Sequence, residues 1–313
     1  MIEEHHGFDR VVILSDESAN WRIAGLRQLD RLVLGLDEFT KAIGTANKIE
    51  IVVFWKPEIP LSERLLPKHQ RITRVRLIEA SGSVEPEARI LATRLFVARN
   101  ALSKFFSTTP PVKVEQPVVD LTGAWPQLFE QFERTCRSAA RAEEEHWRFL
   151  AQPSDIIASE KQLLRHSGKS QDGMVAKFLN RPISRVITRF LLKLPITPNA
   201  CTILTFALAP VAFVFLVRGD YIGFLAGTAL FQLINILDGC DGEIARAKYL
   251  DSERGQRLDA FCDFVANLIF VLCLGIGLFR QPSVSANIRF VYLLEGLITF
   301  GIMAGGLGRF LMP

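Results

Sequence analysis

The pattern of apolar and charged positions changes near residue 193 of the 313-residue sequence. Before that point, short apolar runs alternate with amphipathic segments. After it, long apolar stretches dominate, and most of the charged residues fall in one cluster at 238–263. A change of this kind predicts a water-soluble part followed by a membrane-embedded part.

The first part alternates between predicted strands and predicted helices. The predicted strands are Arg10–Ser15, Glu50–Trp55, Ile72–Ile78 and Val114–Leu121, and the predicted helices are Trp21–Ile43 and Ala88–Phe106. This alternation is typical of an α/β domain with a largely parallel sheet. We therefore predict a Rossmann-like α/β domain over residues 1–150.

Residues 151–195 are predicted to form a linker and a basic juxtamembrane helix. Basic residues recur every four positions in this segment: Lys177, Arg181, Arg185, Arg189 and Lys193. Apolar residues lie between them, so a helix beginning near Pro182 would have one basic and one apolar face. That pattern suits a helix at an anionic bilayer surface, and an ordinary amphipathic surface helix is the alternative. The apolar stretches that follow favour the bilayer.

Residues 196–313 contain the apolar stretches, which are Cys201–Val217, Tyr221–Leu237, Phe264–Phe279 and Phe290–Leu307. Each is near the length that a helix needs to cross a bilayer. Four in succession predict an all-α transmembrane domain and a multi-pass integral membrane protein. The basic residues before the first stretch place the N-terminal domain and the cluster at 238–263 in the cytosol. The net charge of +4 is small, and no nucleic acid partner is expected.

Four aspartates stand out at the cytosolic end of the predicted spans. Asp238 and Asp241 are three residues apart, and Asp259 and Asp263 are four apart, so each pair shares one face of a helix. A short turn around residues 248–254 would fold the two helices antiparallel and bring the four carboxylates together. Converging carboxylates repel one another unless a cation lies between them. Oxygen ligands favour Mg²⁺ or Mn²⁺, so the sequence predicts a divalent metal site.

Small and basic residues accompany these acids. Gly242 and Ala245 leave room for a pyrophosphate or a nucleotide, and Gly255 permits close approach of a ligand or a backbone. Arg246 lies one turn beyond Gly242, where its guanidinium can bind a phosphate oxygen.

The spacing of these residues resembles the signature of one enzyme family, the CDP-alcohol phosphotransferases (also called CDP-alcohol phosphatidyltransferases). Their signature is DxxDGxxAR, eight residues, and GxxxDxxxD. Every defined position is matched, by Asp238, Asp241, Gly242, Ala245, Arg246, Gly255, Asp259 and Asp263. Eight defined positions at this spacing, between two predicted spans, form a specific match.

The resemblance implies a reaction and a set of roles. The four aspartates would bind one or two metal ions that hold the pyrophosphate of a CDP-linked donor. Asp263 would act as the general base on the acceptor hydroxyl, which attacks the β-phosphorus and releases CMP. Asn199, in a Thr-Pro-Asn tripeptide common in this family, would contact the nucleotide or the metal site. The donor is CDP-diacylglycerol or a soluble CDP-alcohol, and the resemblance does not choose between them.

The basic segment contains the pattern Lys169…Asp172-Gly173…Asn180-Arg181-Pro-Ile-Ser184. This pattern resembles the juxtamembrane segment of one branch, the di-myo-inositol-phosphate-phosphate synthases. Arg181, Arg185 and Arg189 would then contact an anionic acceptor or a lipid headgroup, or bind only the membrane surface. Members of this branch often carry a fused nucleotidyltransferase domain with a Gly-rich phosphate loop. Here the loop at 15–21 has two acids but no glycine, lysine or arginine. We therefore interpret the N-terminal domain as nucleotidyltransferase-like and non-catalytic.

The family usually has six spans, whereas four are predicted here. We therefore expect a shortened member, a fragment, or a chain that a partner completes. The alternative function is a non-catalytic membrane scaffold or subunit, but the complete acid motif favours an enzyme. A cation transporter would place its acids within the spans and not at one end of them. Paired small residues such as Gly223 and Gly227 allow close helix packing, and the membrane helices allow a homodimer.

Overall fold

The computed structural model describes residues 10–44, 49–79, 88–109, 121–140, 146–165, 174, 176–281 and 285–311. The chain divides into two compact units, residues 1–167 and residues 168–313. The domain boundaries that we predicted at residues 150 and 195 stay predictions.

The first unit mixes strands and helices. In chain order its elements are β1 (Arg10–Ser15), β2 (Arg22–Ile23), β3 (Leu26–Arg27), α1 (Gln28–Ile43), β4 (Ile49–Trp55), β5 (Val75–Glu79), β6 (Arg89–Ala92), β7 (Leu95–Val97), α2 (Leu102–Thr108), α3 (Leu121–Ala140), β8 (Trp147–Phe149) and α4 (Asp155–Arg165).

A parallel sheet forms the centre of this unit, in the strand order β5-β4-β1-β6. Val11 to Leu14 of β1 are fully buried, because β1 lies inside the sheet and is covered on both faces. The chain leaves β1 for β4 on one side and later returns to β6 on the other. The strand order therefore reverses between β1 and β6, as it does in doubly wound Rossmann-like folds. The predicted α/β class is confirmed.

The predicted helix over Ala88–Phe106 is wrong. The structure has β6, β7 and then the short helix α2 there. Ile90 to Ala92 and Leu95 to Val97 are all buried. Strands buried on both faces form continuous apolar runs, which periodicity alone cannot distinguish from a buried helix.

Of two further predictions in this unit, one needs correction and the other lies mostly outside the described residues. The helix predicted from Trp21 begins only at Gln28, because residues 22–27 form the β2–β3 hairpin. Ala24 and Gly25 turn this hairpin with positive φ angles of 52° and 78°. Most of the strand predicted at Val114–Leu121 lies outside the described residues, and Leu121 begins α3.

The second unit is helical. After a π-helical turn at Ala176–Asn180, it contains α5 (Arg181–Leu191), α6 (Pro198–Val217), α7 (Tyr221–Ala247), α8 (Glu253–Arg280) and α9 (Ala286–Leu311). Three of these helices, α6, α7 and α8, are long and apolar enough to cross a membrane. The fourth predicted span lies in α9, and the side chains of residues 302–311 are outside the described part of the chain. The number of four spans therefore stays a prediction.

Helix α6 packs against both α7 and α8. Ala209 and Ala212 of α6 are fully buried, and they leave room for large side chains from the neighbouring helices. Phe231 of α7 stacks on Phe270 of α8, with ring centroids 4.0 Å apart. This core fixes α7 and α8 with respect to each other, so the last turns of α7 face the first turns of α8.

Candidate metal centre

Carboxylates from α7 and α8 converge in the second unit. Asp238 and Asp241 of α7 and Asp259 of α8 each offer an oxygen, and these oxygens lie within 4.8 Å of one another. Asp263 lies one turn after Asp259 on α8. The structure therefore brings together three of the four predicted acids, from two adjoining helices.

The chemistry of these carboxylates fits a hard divalent cation. Asp241 is buried, and Asp238 and Asp259 are half-buried. One oxygen of Asp259, Oδ1, is buried and makes no hydrogen bond within the described residues. A buried carboxylate oxygen without a donor is destabilising, and a cation bound among these oxygens would remove that penalty.

Thr202 of α6 supports one of the acids. Its hydroxyl donates a hydrogen bond to Oδ2 of Asp241, and both residues are buried. This contact orients the Asp241 carboxylate from a third helix. We did not single out Thr202 from the sequence. The available signal was a hydroxyl side chain one turn after Asn199 in an otherwise apolar span.

Asn199 and Gly255 are adjacent, as their shared predicted role requires. A Cβ atom at position 255 would lie 3.0 Å from Oδ1 of Asn199, so glycine allows this side chain to approach the first turn of α8. Ser252 caps that turn by accepting a hydrogen bond from the Gly255 amide at 3.1 Å. The contact places the start of α6 beside the start of α8.

Gly242 lies next to the side chain of Arg246, which the sequence places one turn further along the same helix. The guanidinium of Arg246 folds back over Gly242, and a Cβ atom at position 242 would lie 3.2 Å from Nη1 of Arg246. Ala245 is half-buried on the same helix. The glycine therefore lets the Arg246 side chain lie along α7 over position 242, which directly follows Asp241.

The three arginines of the basic helix differ in their surroundings. Arg181 is buried, and its Nη1 lies 3.5 Å from the carbonyl oxygen of Gly239 in α7. Arg185 and Arg189 are half-buried. Only Arg181 is thus enclosed against the helix that carries Asp238 and Asp241.

Lys248 closes the end of α7. Its ammonium group donates hydrogen bonds to the carbonyl oxygens of Leu194 at 3.2 Å and Ile196 at 3.4 Å. Burial lowers the pKa of Lys248. The contact ties the segment before α6 to the turn that separates α7 from α8.

Comparison with protein families identifies the class of this helical unit. Residues 195–306 match the family model described as CDP-alcohol phosphatidyltransferase. This range contains all four aspartates and Asn199. The chain therefore carries a CDP-alcohol phosphatidyltransferase domain, and the family predicted from the acid motif is confirmed.

Curated relatives share one name, "Bifunctional IPC transferase and DIPP synthase". The protein of Rubrobacter xylanophilus is 40% identical over 141 residues, which are 45% of this chain and 32% of that protein. The protein of Thermococcus kodakarensis is 32% identical over 157 residues, or 50% of this chain and 35% of the relative. The protein of Aquifex aeolicus is 33% identical over 138 residues, or 44% and 31%. The matched region spans about a third of the length of these relatives.

Proposed function

We propose that this protein transfers a substituted phosphate group from a CDP-linked alcohol to an acceptor hydroxyl, with release of CMP. The observation that carries the proposal is the convergence of Asp238, Asp241 and Asp259 within 4.8 Å, inside a segment that matches the CDP-alcohol phosphatidyltransferase family. The family match supports the reaction class. The carboxylate cluster supplies oxygen ligands for the divalent cation that this reaction would need.

Asp238, Asp241, Asp259 and Asp263 would hold one or two divalent cations, Mg²⁺ or Mn²⁺. When bound, a cation of this kind neutralises charge on a pyrophosphate and on its leaving group. Thr202 holds the Asp241 carboxylate in place for this task, because its hydroxyl already occupies one oxygen of that group. Gly242, Ala245, Arg246, Gly255 and Asn199 are the proposed contacts of the cytidine diphosphate moiety.

Asp263 is the proposed general base. Its carboxylate accepts the proton of the acceptor hydroxyl as the oxygen forms a bond to the β-phosphorus of the donor. The bond from the β-phosphorus to the bridging oxygen breaks, and CMP leaves with that oxygen. A base positioned in this way contributes roughly 10²–10⁴-fold to the rate.

The names of the relatives bear on the substrate class. Their similarity to this chain favours a soluble CDP-linked polyol as donor and a phosphorylated polyol as acceptor. CDP-diacylglycerol as donor is the second candidate, because three helices are apolar enough to place the site beside lipid. A homodimer through the membrane helices stays a prediction.

We propose that the N-terminal domain is nucleotidyltransferase-like and does not catalyse a reaction. Nucleotides bind doubly wound sheets where the strand order reverses, here at the loops that follow β1 and β6. Asp16 in the first loop accepts a hydrogen bond from Nε of Arg94 in the second, at 2.6 Å. Arg94 also pairs with Glu17, and its guanidinium lies 5.1 Å from the centre of the Trp21 ring. The side chains of the domain itself therefore fill the crevice where a nucleotide would bind.

Helix α5 is the proposed contact with the bilayer surface. Its large apolar side chains are exposed, including Phe178 just before it and Val186 and Phe190 within it. Arg185 and Arg189 lie beside them, as expected for a helix at an anionic interface. With this helix on the cytosolic leaflet, the N-terminal domain and the carboxylate cluster are cytosolic.

A CMP-release assay tests the reaction. The full chain, purified in lipid nanodiscs, is supplied with Mg²⁺, a soluble CDP-polyol or CDP-diacylglycerol, and lipid or polyol-phosphate acceptors. We expect metal-dependent CMP release that falls about 10²–10⁴-fold in Asp263→Ala. Absence of CMP release from every donor tried, in a protein that still binds Mn²⁺, would favour the non-catalytic scaffold instead.

A further inference from the structure

Helix α5 presents an unusual face to α7. The side chains that it buries are polar, namely Arg181, Ser184 and Thr188, whereas its large apolar side chains are exposed. Burying a charged or hydroxyl group is unfavourable unless it is hydrogen-bonded. These three residues lie on successive turns of one face of α5, and this face packs against α7.

The main partner is Glu243 of α7, which is completely buried. The hydroxyl of Ser184 donates a hydrogen bond to Oε1 of Glu243 at 2.9 Å. Nη1 of Arg181 lies 3.5 Å from the same oxygen. The interfacial helix is therefore joined to α7 by a buried carboxylate that receives two donors from α5.

These contacts lie next to the proposed metal ligands of α7 in the sequence. Arg181 reaches the backbone carbonyl of Gly239, which directly follows Asp238, and Glu243 lies two residues after Asp241. A Cβ atom at position 239 would lie 3.1 Å from Nη1 of Arg181, so glycine leaves room for this guanidinium beside α7. Any rotation of this stretch of α7 would move the acids and would break the contacts to α5.

We propose that Ser184, Arg181 and Glu243 are positioning residues for the metal centre, and that they hold the last turns of α7 so that Asp238 and Asp241 point at Asp259. This inference rests on the metal site of the proposed function. A buried ion pair adds little net stability compared with apolar packing, but it fixes one geometry among several. Outer partners that orient metal ligands typically contribute roughly 10–100-fold to metal affinity or activity.

Direct metal binding provides the test. Mn²⁺ is titrated into the full chain in nanodiscs and followed by electron paramagnetic resonance without substrate. We expect Ser184→Ala and Glu243→Gln to weaken Mn²⁺ binding about 10–100-fold. In the CMP-release assay the same variants should need more Mg²⁺ for half-maximal rate and should recover much of the rate when Mg²⁺ saturates.

Conservative and matched variants separate positioning from general stability. Arg181→Lys keeps the charge and should bind Mn²⁺ better than Arg181→Met. Thr188→Val, on the same buried face one turn further along α5, should bind Mn²⁺ like the wild type. If Glu243→Gln does not fold, Ser184→Ala, which removes a single oxygen atom, decides the question.

Each result bears on a stated claim. Wild-type Mn²⁺ affinity in both Ser184→Ala and Glu243→Gln would overturn the positioning role, whatever their melting temperatures. Mn²⁺ binding by the wild type without any CMP release would overturn the proposed function and leave the positioning role standing. A wild type that binds no Mn²⁺ would overturn the metal centre on which both rest.

Discussion

The two units of this protein differ in the partners that they give to their buried or half-buried carboxylates. In the N-terminal unit, Asp16 is buried, and its partners are supplied by the chain: the Ser18 amide and hydroxyl, the Thr93 hydroxyl and the Arg94 guanidinium. In the helical unit, Asp238, Asp241 and Asp259 gather within 4.8 Å. No ion pair to a Lys or Arg of the described residues accompanies these three carboxylates, and one oxygen of Asp259 accepts no hydrogen bond there.

The difference indicates which group of carboxylates would be stabilised by a bound cation. A carboxylate with an arginine and three hydroxyl or amide donors is satisfied, and a bound anion would have to displace those donors. Converging carboxylates without an arginine or lysine partner repel each other, and an added cation would stabilise them. The contrast is the reason that we propose a metal and pyrophosphate site for the second region and a closed structural cluster for the first.

The largest effect should come from removing Asp259, whose buried Oδ1 accepts no hydrogen bond within the described residues. We expect Asp259→Ala to reduce CMP release by at least about 10²-fold, because it removes a charge that acts directly on the pyrophosphate site. Mn²⁺ binding should weaken in parallel. Activity with and without added Mg²⁺, and metal titration by electron paramagnetic resonance, measure the two effects.

A neighbouring acid provides the control for that variant. Glu253 lies in the first turn of α8 with its side chain 90% exposed. Glu253→Ala should leave both CMP release and Mn²⁺ binding close to wild type. Equal losses in Asp259→Ala and Glu253→Ala would mean that overall negative charge near the start of α8 matters, and that the cluster has no specific role.

An effect of intermediate size is expected from removing Arg94, the partner of the buried Asp16 carboxylate. Arg94→Met removes the guanidinium from Asp16 and leaves a buried carboxylate with weaker partners. We expect the N-terminal unit to lose about 3 kcal/mol of unfolding free energy, the lower end of what breaking a buried pair costs. Hydrogen exchange of the β1 and β6 amides in the full chain reports this loss. CMP release should not change.

An exposed pair on the same unit shows what an ordinary ion pair contributes. Arg134 and Glu130 pair across one turn of α3, with side chains 76% and 63% exposed. Arg134→Met should cost at most about 0.5 kcal/mol. If Arg94→Met were equally mild, or if it created nucleotide binding with no loss of stability, the interpretation of the crevice as a closed structural cluster would be wrong.

The acid motif was the most predictable feature of the molecule. Asp238, Asp241 and Asp259 are brought together by helix periodicity and one short turn, so their spacing in the sequence almost fixes their proximity. Glu243 lies inside the same motif, but its partner Ser184 is 59 residues away in sequence. Periodicity carries no information about such a contact, because it depends on how α5 packs against α7.

The N-terminal sheet shows the corresponding limit for the fold. Strand β1 was recognisable from its apolar run, which is short and bounded by polar residues. Strands β6 and β7 are equally apolar, but only Thr93 and Arg94 separate them, and the run resembles a helix. Thr93 and Arg94 turn the chain there because the loop after β1 supplies hydrogen-bond partners for both. These tertiary contacts cannot be predicted from the local pattern of apolar and polar residues.

The smallest effect on Mn²⁺ binding and CMP release should come from Asp220. Its carboxylate caps the N-terminus of α7 by accepting a hydrogen bond from the Gly223 amide at 2.7 Å and pairs with Arg218 at 2.8 Å. These two partners, the amide first, hold the pKa of Asp220 below its usual value of 3.8. Asp238 lies 18 residues further along the same helix, about 27 Å away at 1.5 Å per residue. Asp220→Asn should therefore leave Mn²⁺ binding and CMP release unchanged.

The pH dependence of that cap follows from the lowered pKa. The charged cap contributes stability above the unfolded pKa, and the contribution is lost as the pH falls through the folded value. The Gly223 amide should thus be slightly better protected from hydrogen exchange in the wild type than in Asp220→Asn at neutral pH. The difference should persist at pH 3.8 and disappear only as the pH falls through the lowered pKa of the folded state, because the wild-type carboxyl is then protonated as well. A difference that persisted in acid would show that the carboxyl group caps α7 by its shape and not by its charge. Asp220 would then no longer be an example of an acid whose charge the protein itself satisfies.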